Sequence, residues 1–483
     1  MQILQSKGTL RGAPEVSGKN ALLYHQKWLS NALVMGFGDA VALASAMLIA
    51  GSIRWWLKGD PMFQQWFFAL LMGWWIVAGA ARLLPSWGIG VVEELRRLVT
   101  LLSLLFGGTL VVLFLTKQST AMSRITLSVS YLLSLGLVPY VRSRVRGYLI
   151  RRDRWGVPTV VYGAAETGRQ VIDALREEPG VGYVPTGFFD DDPEMWGDFV
   201  EDVPVLGSTE QSTFAAPIAI LAMPGISRIR MLELLEGPLM HYKQVVIIPD
   251  LFEIPSLWVK SRNLAGILGL EITRKLLDPL AQIVKRTMDL VLVGVSAPLW
   301  GPVYLLLCLA VWQEDRGTPF FFQERVGKDG RRFKVRKFRT MVADAEEVLQ
   351  KHLDRNPVMR AEWEARYKLK SDPRITRIGA FLRKYSLDEI PQILNVWRGE
   401  MSLVGPRPLP EYHLDELSHR IRQLRMCIRP GMTGLWQVSG RSDAGNEGLM
   451  RWDAFYVRNW SIWLDIVILV RTVRVVLRGT GAY

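Results

Sequence analysis

Leu290-Val-Leu-Val-Gly-Val-Ser-Ala-Pro-Leu-Trp-Gly-Pro-Val-Tyr-Leu-Leu-Leu-Cys-Leu-Ala-Val311 contains no charged residue. About 20 apolar residues suffice for a helix to cross the hydrocarbon core of a bilayer. The flanks argue against a simple crossing. Lys285 and Arg286 precede the run, and Arg316, Arg325, Lys328, Arg331 and Arg332 follow it. Basic residues stay on the cytosolic side, so both ends carry the same signature. The run also holds Pro298 and Pro302, with Gly294 and Gly301 nearby. Proline removes an intrahelical hydrogen bond and bends the helix. A re-entrant helix over about 285–312, bending near Pro298 and returning, satisfies both facts. A fifth, kinked span is the competing reading, since prolines do occur in true spans.

Toward the N-terminus lie four more apolar stretches, Leu29–Ile53, Phe63–Leu84, Leu98–Leu115 and Ile125–Val141, each near spanning length. Trp28, Trp55, Trp56, Trp66 and Trp87 stand at or near their ends, where interfacial aromatic belts form. Lys7, Arg11, Lys19 and Lys27 precede the first stretch, Arg96 and Arg97 separate the second from the third, and Arg142, Arg144, Arg146, Arg151, Arg152 and Arg154 follow the fourth. The loops near Lys58 and Lys117 are poorer in charge. Four spans with both termini inside follow, behind a cytosolic segment 1–28 and within a membrane domain 29–145. Asp39, inside the first span, is either functional or an interhelical hydrogen-bonding partner.

Composition agrees. Of 483 residues, 49% are hydrophobic and 22% charged, yet mean hydropathy is +0.14. The average therefore hides a split between apolar and polar segments. The net charge of +13 fits anionic lipid, phosphate-rich substrates or nucleic acid. Cys308 and Cys427 allow one disulfide at most, which excludes a disulfide framework. The five histidines lack zinc-ligand spacing. The polar first residues hold no apolar core of a signal peptide, so none is expected.

Residues 146–275 alternate strand and helix patterns. Thr159–Tyr162 is a short apolar strand. The turn Gly163-Ala-Ala-Glu-Thr-Gly168 and a helical Arg169–Arg176 follow it, and further strands are expected at Ile218–Ala222 and Gln244–Ile248. This βαβ order implies a parallel, Rossmann-like sheet. Ala165 replaces the central glycine that lets a backbone approach a pyrophosphate. The domain then either binds a nucleotide or serves regulation or self-association.

Beyond Pro319 the chain turns basic and aromatic. Phe320–Val326 and Arg332–Met341 read as a hairpin around Lys328-Asp-Gly330, because Asp-Gly suits a tight turn. Its second strand carries Lys334, Arg336, Lys337 and Arg339. These form a solvated basic face, a contact for anionic headgroups, or a phosphate site in which Lys337 and Arg339 are the chosen pair. Ser386-Leu-Asp-Glu389 reads as a capping box, Ser386 as N-cap and Glu389 at N3. A helix through Ile390–Trp397 should then stop at Gly399. Asp388 and Glu389 would lie at the positive end of its dipole, which stabilises carboxylates and attracts phosphate. An ionised Asp388 could attack phosphorus, and Glu389 could hold Mg²⁺; ordinary capping chemistry is the alternative. Gly405-Pro406-Arg407-Pro408 is a rigid turn presenting one guanidinium. Arg383, Arg429 and Arg441 serve either as ligand contacts or as partners of nearby carboxylates. Ile462–Leu477 mixes apolar and basic residues at helical spacing, as an interfacial or a packed helix would.

Residues 285–483 resemble the monotopic phosphoglycosyl transferases, the bacterial sugar transferases. The resemblance rests on Lys285-Arg-Thr-Met-Asp289, Gln323-Glu-Arg-Val-Gly327, Phe338-Arg-Thr-Met341, Ser386-Leu-Asp-Glu-Ile-Pro-Gln392, Ser402-Leu-Val-Gly-Pro-Arg-Pro408 and Arg429-Pro-Gly-Met-Thr-Gly-Leu-Trp-Gln437. With the four spans and the Rossmann-like domain, the chain resembles the large branch of that family. The fold implied is a membrane α-helical bundle, an α/β Rossmann-like domain and an α-rich α+β catalytic domain, 276–483, with a re-entrant helix broken at Pro298. The family's breaking pair is often Ser-Pro; here Ala297 precedes Pro298.

The resemblance implies transfer of a sugar-1-phosphate from a UDP-sugar to undecaprenyl phosphate, with loss of UMP. Galactose is the expected sugar and glucose its main rival, for O-antigen or another surface polysaccharide. It implies a ping-pong reaction on an Asp388–Glu389 dyad with Mg²⁺ held by the same two carboxylates. Lys337, Arg339, Arg383, Pro406, Arg407, Pro408, Arg429 and Arg441 are the expected substrate contacts. The expected setting is the bacterial inner membrane and its lipids, with the middle and catalytic domains cytosolic, no nucleic acid, and a homodimer as one assembly. A nucleotide-sugar oxidoreductase would need a Tyr-x-x-x-Lys pair, which the sequence lacks. A membrane scaffold would have no use for the dyad.

Overall fold

A computed structural model describes residues 13–478, apart from 60–65, 116–122, 250–258, 265–266, 273–278, 343, 357–358, 361, 364–368, 370–371 and 440–444. Lys7, Arg11, Lys117 and Arg441 therefore lie outside the described residues. The chain divides into two compact units, Met1–Glu253 and Ile254–Tyr483.

The first unit opens with four helices, α1 (Ala13–Lys58), α2 (Trp66–Ala80), α3 (Val91–Leu115) and α4 (Arg124–Arg151). α1 begins well before the apolar run that announces it. α2 ends at Ala80, short of the expected Leu84, and is shorter than the other three. α1, α3 and α4 are long and apolar enough to cross a bilayer. Met35, Leu43, Leu70, Trp74, Leu98, Leu102 and Val138 fill the space between the helices.

A charged cluster sits inside this packing. Arg142 donates to Asp39 through Nε at 2.7 Å and Nη2 at 2.6 Å, and to Glu94 through Nη1 at 2.9 Å. Arg146 donates to both oxygens of Glu94 at 2.5 and 2.7 Å. The Trp74 indole N–H donates to Asp39 at 3.0 Å, and the Ser86 hydroxyl to Glu94 at 3.0 Å. Of the two readings of Asp39, the interhelical bond is therefore realised, with an ion pair added. The same geometry corrects the charge count after the fourth span. Arg142 and Arg146 are buried partners of carboxylates rather than an interfacial basic flank, because an unpaired carboxylate in such packing would be far costlier.

Six strands follow: β1 (Val157–Tyr162), β2 (Tyr183–Phe189), β3 (Phe199–Val200), β4 (Val203–Gly207), β5 (Ile218–Leu221) and β6 (Gln244–Ile247). Helix α5 (Glu166–Glu177) follows β1, and α6 (Arg228–Glu236) follows β5. The sheet order is β3-β4-β2-β1-β5-β6, parallel except for β3 with β4, as the βαβ pattern predicts. Gly163 leaves β1 at φ +100°, a conformation that glycine adopts freely. The carboxylate of Asp190 accepts the backbone N–H of Ala164 at 2.7 Å.

The second unit holds the hairpin β7–β8 (Val259–Leu264, Ile267–Ile272) and the long helix α7 (Pro279–Asp315), a single helix that runs on across Pro298 and Pro302, so the break expected at Pro298 does not interrupt it. The antiparallel pair β9 (Phe320–Val326) and β10 (Arg332–Phe338) follows. Asp329 and Gly330 in its turn have φ of 57° and 74°, as the Asp-Gly signal requires. Strand β11 (Ser402–Val404) runs parallel to β12 (Gly431–Thr433). The last helix, Ile462–Arg478, buries Leu464, Asp465 and Ile468 and exposes Val470 and Val473.

α7 packs along the domain over much of its length. Val293 and Trp300 join Val335, Val396 and Met401 in one cluster, and Tyr304, Cys308 and Val311 join Phe338 and Leu382 in another. Near its start, Arg286 donates to Val396 O and Trp397 O at 2.6 and 2.8 Å. Near its end, Glu314 accepts the Ile378 N–H at 3.2 Å. Val291, Val295, Leu299, Leu305, Leu306 and Leu309 are exposed.

Candidate active site

Three segments converge on one cleft of about 1450 Å³. β10 brings Lys337. The Arg377–Lys384 helix, capped by the Thr376 hydroxyl accepting from Gly379 N at 2.9 Å, brings Arg383. The chain then turns through Ser386 into a 3-10 segment, Leu387–Gln392, which carries Asp388 and Glu389, and continues as the Ile393–Arg398 helix. As expected, that helix stops at Gly399, which adopts φ 80°.

The capping box does not form. Ser386 lies in the left-handed region, φ 54° and ψ 25°, and its side chain caps nothing. An N-cap needs an extended backbone from which its oxygen can reach the N3 amide. Here Glu389 N instead bonds to the backbone oxygen of Ser386 at 3.3 Å. The Glu389 carboxylate faces the cleft. Its Oε1 accepts from Lys337 Nζ at 2.7 Å and from Arg407 Nη2 at 3.0 Å. Lys337 Nζ also lies 3.7 Å from Asp388 Oδ2. The dyad thus hangs on a strained turn, a non-glycine left-handed residue costing on the order of 1–2 kcal/mol.

Asp388 is largely withdrawn from solvent, its side chain 16% exposed. Burial pushes its pKa above the usual aspartate value, while Lys337 and Arg383 pull it down and Glu389 pushes it up. Arg383 Nε donates to Thr340 Oγ1 at 2.9 Å, which holds its guanidinium beside the cleft. Asn395, fully buried, accepts from Arg336 N at 3.1 Å and donates to Lys334 O at 2.8 Å. It pins the strand bearing Lys337 to the segment bearing the dyad.

Arg407 comes from the Gly405-Pro-Arg-Pro408 turn. Gly405 N donates to Thr433 O at 2.9 Å, and Gly431 N to Pro406 O at 2.8 Å. A Cβ on Gly405 would stand 2.8 Å from Gly431 N, so only glycine allows this approach. The Arg407 carbonyl accepts from Arg425, itself paired with the buried Asp453. Pro408 lines the cleft with Arg339, whereas Pro406 lines a smaller hollow beside Val326 and Leu414. Arg429 is placed elsewhere: its Nε donates to Gly399 O at 2.9 Å. With Arg286 it neutralises the carbonyl end of the Ile393–Arg398 helix, a favourable place for cations.

Arg325 was not among the residues singled out, yet it lines the cleft. Its Nη2 donates to Gln323 Oε1 at 2.6 Å, and burial and Arg407 lower its pKa. Strand phasing would have found it. Phe321 pairs with Lys337 across the hairpin, so Phe321, Gln323 and Arg325 share the face that Lys337 presents.

Among the described residues no group of three or more His, Cys, Asp or Glu side chains forms a metal cage. Two adjacent carboxylates are nevertheless the donor set that Mg²⁺ takes together with substrate phosphates. A carboxylate pair set among four guanidiniums and one ammonium is suited to bind a multiply charged phosphate and to attack it.

Comparison with known proteins agrees with this arrangement. Residues 280–479 match the bacterial sugar transferase family, and residues 88–216 match a CoA-binding domain. The chain is 39% identical to the UDP-galactose-lipid carrier transferase of Erwinia amylovora, over 73% of this chain and 75% of that protein. It is 34% identical to the undecaprenyl-phosphate galactose phosphotransferase of Salmonella typhimurium, over 72% and 74%. The exopolysaccharide production protein ExoY of Rhizobium meliloti is 43% identical over 42% of this chain and 90% of its own length. Cleft, motif order and length of match coincide, and the chain belongs to the bacterial sugar transferase family.

Proposed function

We propose that this phosphoglycosyl transferase moves galactose-1-phosphate from UDP-galactose to undecaprenyl phosphate, the first membrane step of a surface polysaccharide, through a covalent intermediate on Asp388. The observation that carries this reading is the cleft itself, where Asp388 and Glu389 meet Lys337, Arg383 and Arg407. An oxygen of ionised Asp388 attacks the sugar-bearing phosphorus. The bond from that phosphorus to the bridging oxygen breaks, and UMP leaves with the electron pair. A phosphate oxygen of the lipid then attacks the same phosphorus and releases Asp388 as a carboxylate. Lys337 and Arg383 oppose the rise that burial gives the Asp388 pKa, and Arg407 meets charge developing on the phosphoryl oxygens. Mg²⁺, when bound, would be held by Asp388 and Glu389 and would neutralise further phosphate charge.

UDP-glucose is the rival donor. Purified protein given undecaprenyl phosphate and a panel of UDP-sugars should release UMP fastest from UDP-galactose. Faster release from UDP-glucose would reassign the sugar, and no release from any would remove the transferase reading.

The reading places α7 as a re-entrant helix entering from the cytosol. Arg286 and Glu314, near its two ends, both bond to the stretch Ile378–Trp397, and between them one face of the helix packs on the domain while the opposite face, with Val295, Leu299 and Leu305, stays exposed. A bilayer-crossing helix could not keep one water-soluble domain packed along its length. With Cys308 and Cys427 replaced, a cysteine at Arg316 should resist an impermeant thiol reagent in intact cells. Labelling there without lysis would mean that α7 crosses.

A further inference from the structure

The cleft has two unlike ends, and the difference assigns its two substrates to different sides of the dyad. At one end α7 leaves through Gly317 into β9. Phe320 and Phe338 stack there with ring centroids 6.0 Å apart, and both pack against Tyr304 of α7. Phe321, the next residue, lines the cleft, is half exposed at 51% and stands cross-strand from Lys337. Arg339 lies beside it. A Cβ on Gly317 would stand 2.5 Å from Arg339 Nη1, so the guanidinium rests on the turn where the apolar helix ends. Arg339 N also donates to Pro319 O at 2.9 Å. An exposed aromatic, a guanidinium and the end of an apolar helix thus meet at one mouth. Arg325 lies four residues further along β9 than Phe321, paired with Phe333 toward the hairpin turn, and Tyr412, His413 and Trp436 line the same cleft.

We infer that Phe321 and Arg339 form the port for the polyprenyl phosphate, Phe321 contacting the first isoprene units and Arg339 the acceptor phosphate, while the nucleotide enters from the Arg325 and Tyr412 end. This rests on the transferase reading above. It goes further by giving each substrate its own mouth and by naming a side chain that discriminates between them. The chemistry is specific. A prenyl chain anchored among lipids reaches the dyad with least exposure to water along the apolar face of α7. A guanidinium at its exit meets a phosphate monoester in bidentate fashion. A uridine, being polar and soluble, has no need of that route. Phe321 otherwise stands with half its surface exposed beside a charged dyad, where an aromatic ring gains little.

The test is Phe321→Ser in the full-length, detergent- or nanodisc-reconstituted protein, with Phe321→Leu as the conservative partner. KM is measured separately for the UDP-sugar and for undecaprenyl phosphate, and again with a short acceptor, methyl phosphate, that carries no isoprene unit. Phe321→Ser should raise KM for undecaprenyl phosphate about tenfold, move KM for the UDP-sugar less than about twofold, and leave the short acceptor nearly unaffected. Phe321→Leu should retain most of the wild-type KM. Arg339→Lys should raise KM for the long and the short acceptor alike, since it touches the phosphate common to both. Equal rises for both substrates in Phe321→Ser, or a defect confined to the UDP-sugar, would overturn the port. If the wild type made no lipid-linked product at all, the transferase reading itself would fall instead, so the two failures are told apart.

Discussion

Asp388→Asn should abolish turnover, by at least about a thousandfold, as expected when a nucleophile acting within a coupled group is removed. Asparagine keeps the shape of the side chain and takes away the anion. The backbone should tolerate the change: Asp388 sits in a 3-10 turn whose start is set by Ser386, and no cap bond depends on its carboxylate. Expression and thermal behaviour should therefore stay near wild type. The wild type given UDP-sugar alone should release about one UMP per active site and gain a hexose phosphate, the signature of a covalent intermediate. The adduct should map to the peptide containing Asp388, and the variant should show neither event. The pH dependence follows from the same carboxyl. Burial raises its pKa, and it must be ionised to attack, so the rate should fall on acidification from a higher pH than an ordinary aspartate would impose. Lys337→Met removes a cation that opposes the shift and should move this acid limb further up. A variant Asp388→Asn that turned over normally, or UMP release only when both substrates are present, would favour direct transfer in a ternary complex.

The largest stability effect belongs to the membrane bundle. Among the described residues, Arg142→Met leaves the fully buried Asp39 with the Trp74 N–H alone, while Glu94 keeps Arg146 and Ser86. Stranding one partner of a buried ion pair costs on the order of 3–5 kcal/mol. The purified variant should aggregate several degrees lower than wild type and accumulate poorly in membranes. The double variant Asp39→Leu with Arg142→Met removes the stranded charge, leaves Arg146 to balance Glu94, and should recover most of the loss. If Arg142→Met were as stable as wild type, or if the double variant were worse than the single, the cluster would not be what holds these helices together.

Much of the architecture was legible because it rests on period and punctuation. Apolar runs of spanning length mark α1, α3 and α4. Alternating strand and helix patterns mark the parallel sheet. Asp329-Gly330 marks the hairpin, and Gly399 a helix end. What escaped depended on three-dimensional partners. Ser386 and Glu389 have capping-box spacing, but the backbone turns left-handed at Ser386 and Glu389 is claimed by Lys337 and Arg407, residues 52 and 18 positions away. Arg142 and Arg146 look like an interfacial flank until Asp39 and Glu94, on other helices, are seen beside them. Arg429 has the chemistry of a phosphate ligand, and only the position of the Ile393–Arg398 helix shows that it ends on a carbonyl. Arg325 was hidden for the opposite reason: its motif was visible, but its side of the strand follows only from the pairing of Phe321 with Lys337.

The length of α1 has a mechanical consequence. At 46 residues it measures about 69 Å, more than twice the roughly 30 Å hydrocarbon thickness of a bilayer. The excess is bolted to the Rossmann-like domain. Asn20 Nδ2 donates to Thr213 O and His241 O at 3.0 and 3.2 Å, and Asn31 bridges Arg154 O and Gly156 N, each at 3.0 Å. A domain tethered by a loop sweeps out a cone above its membrane. This one is joined through Asn20 and Asn31 to a helix that continues into the bundle, so turning the parallel sheet about α1 would turn that helix with it.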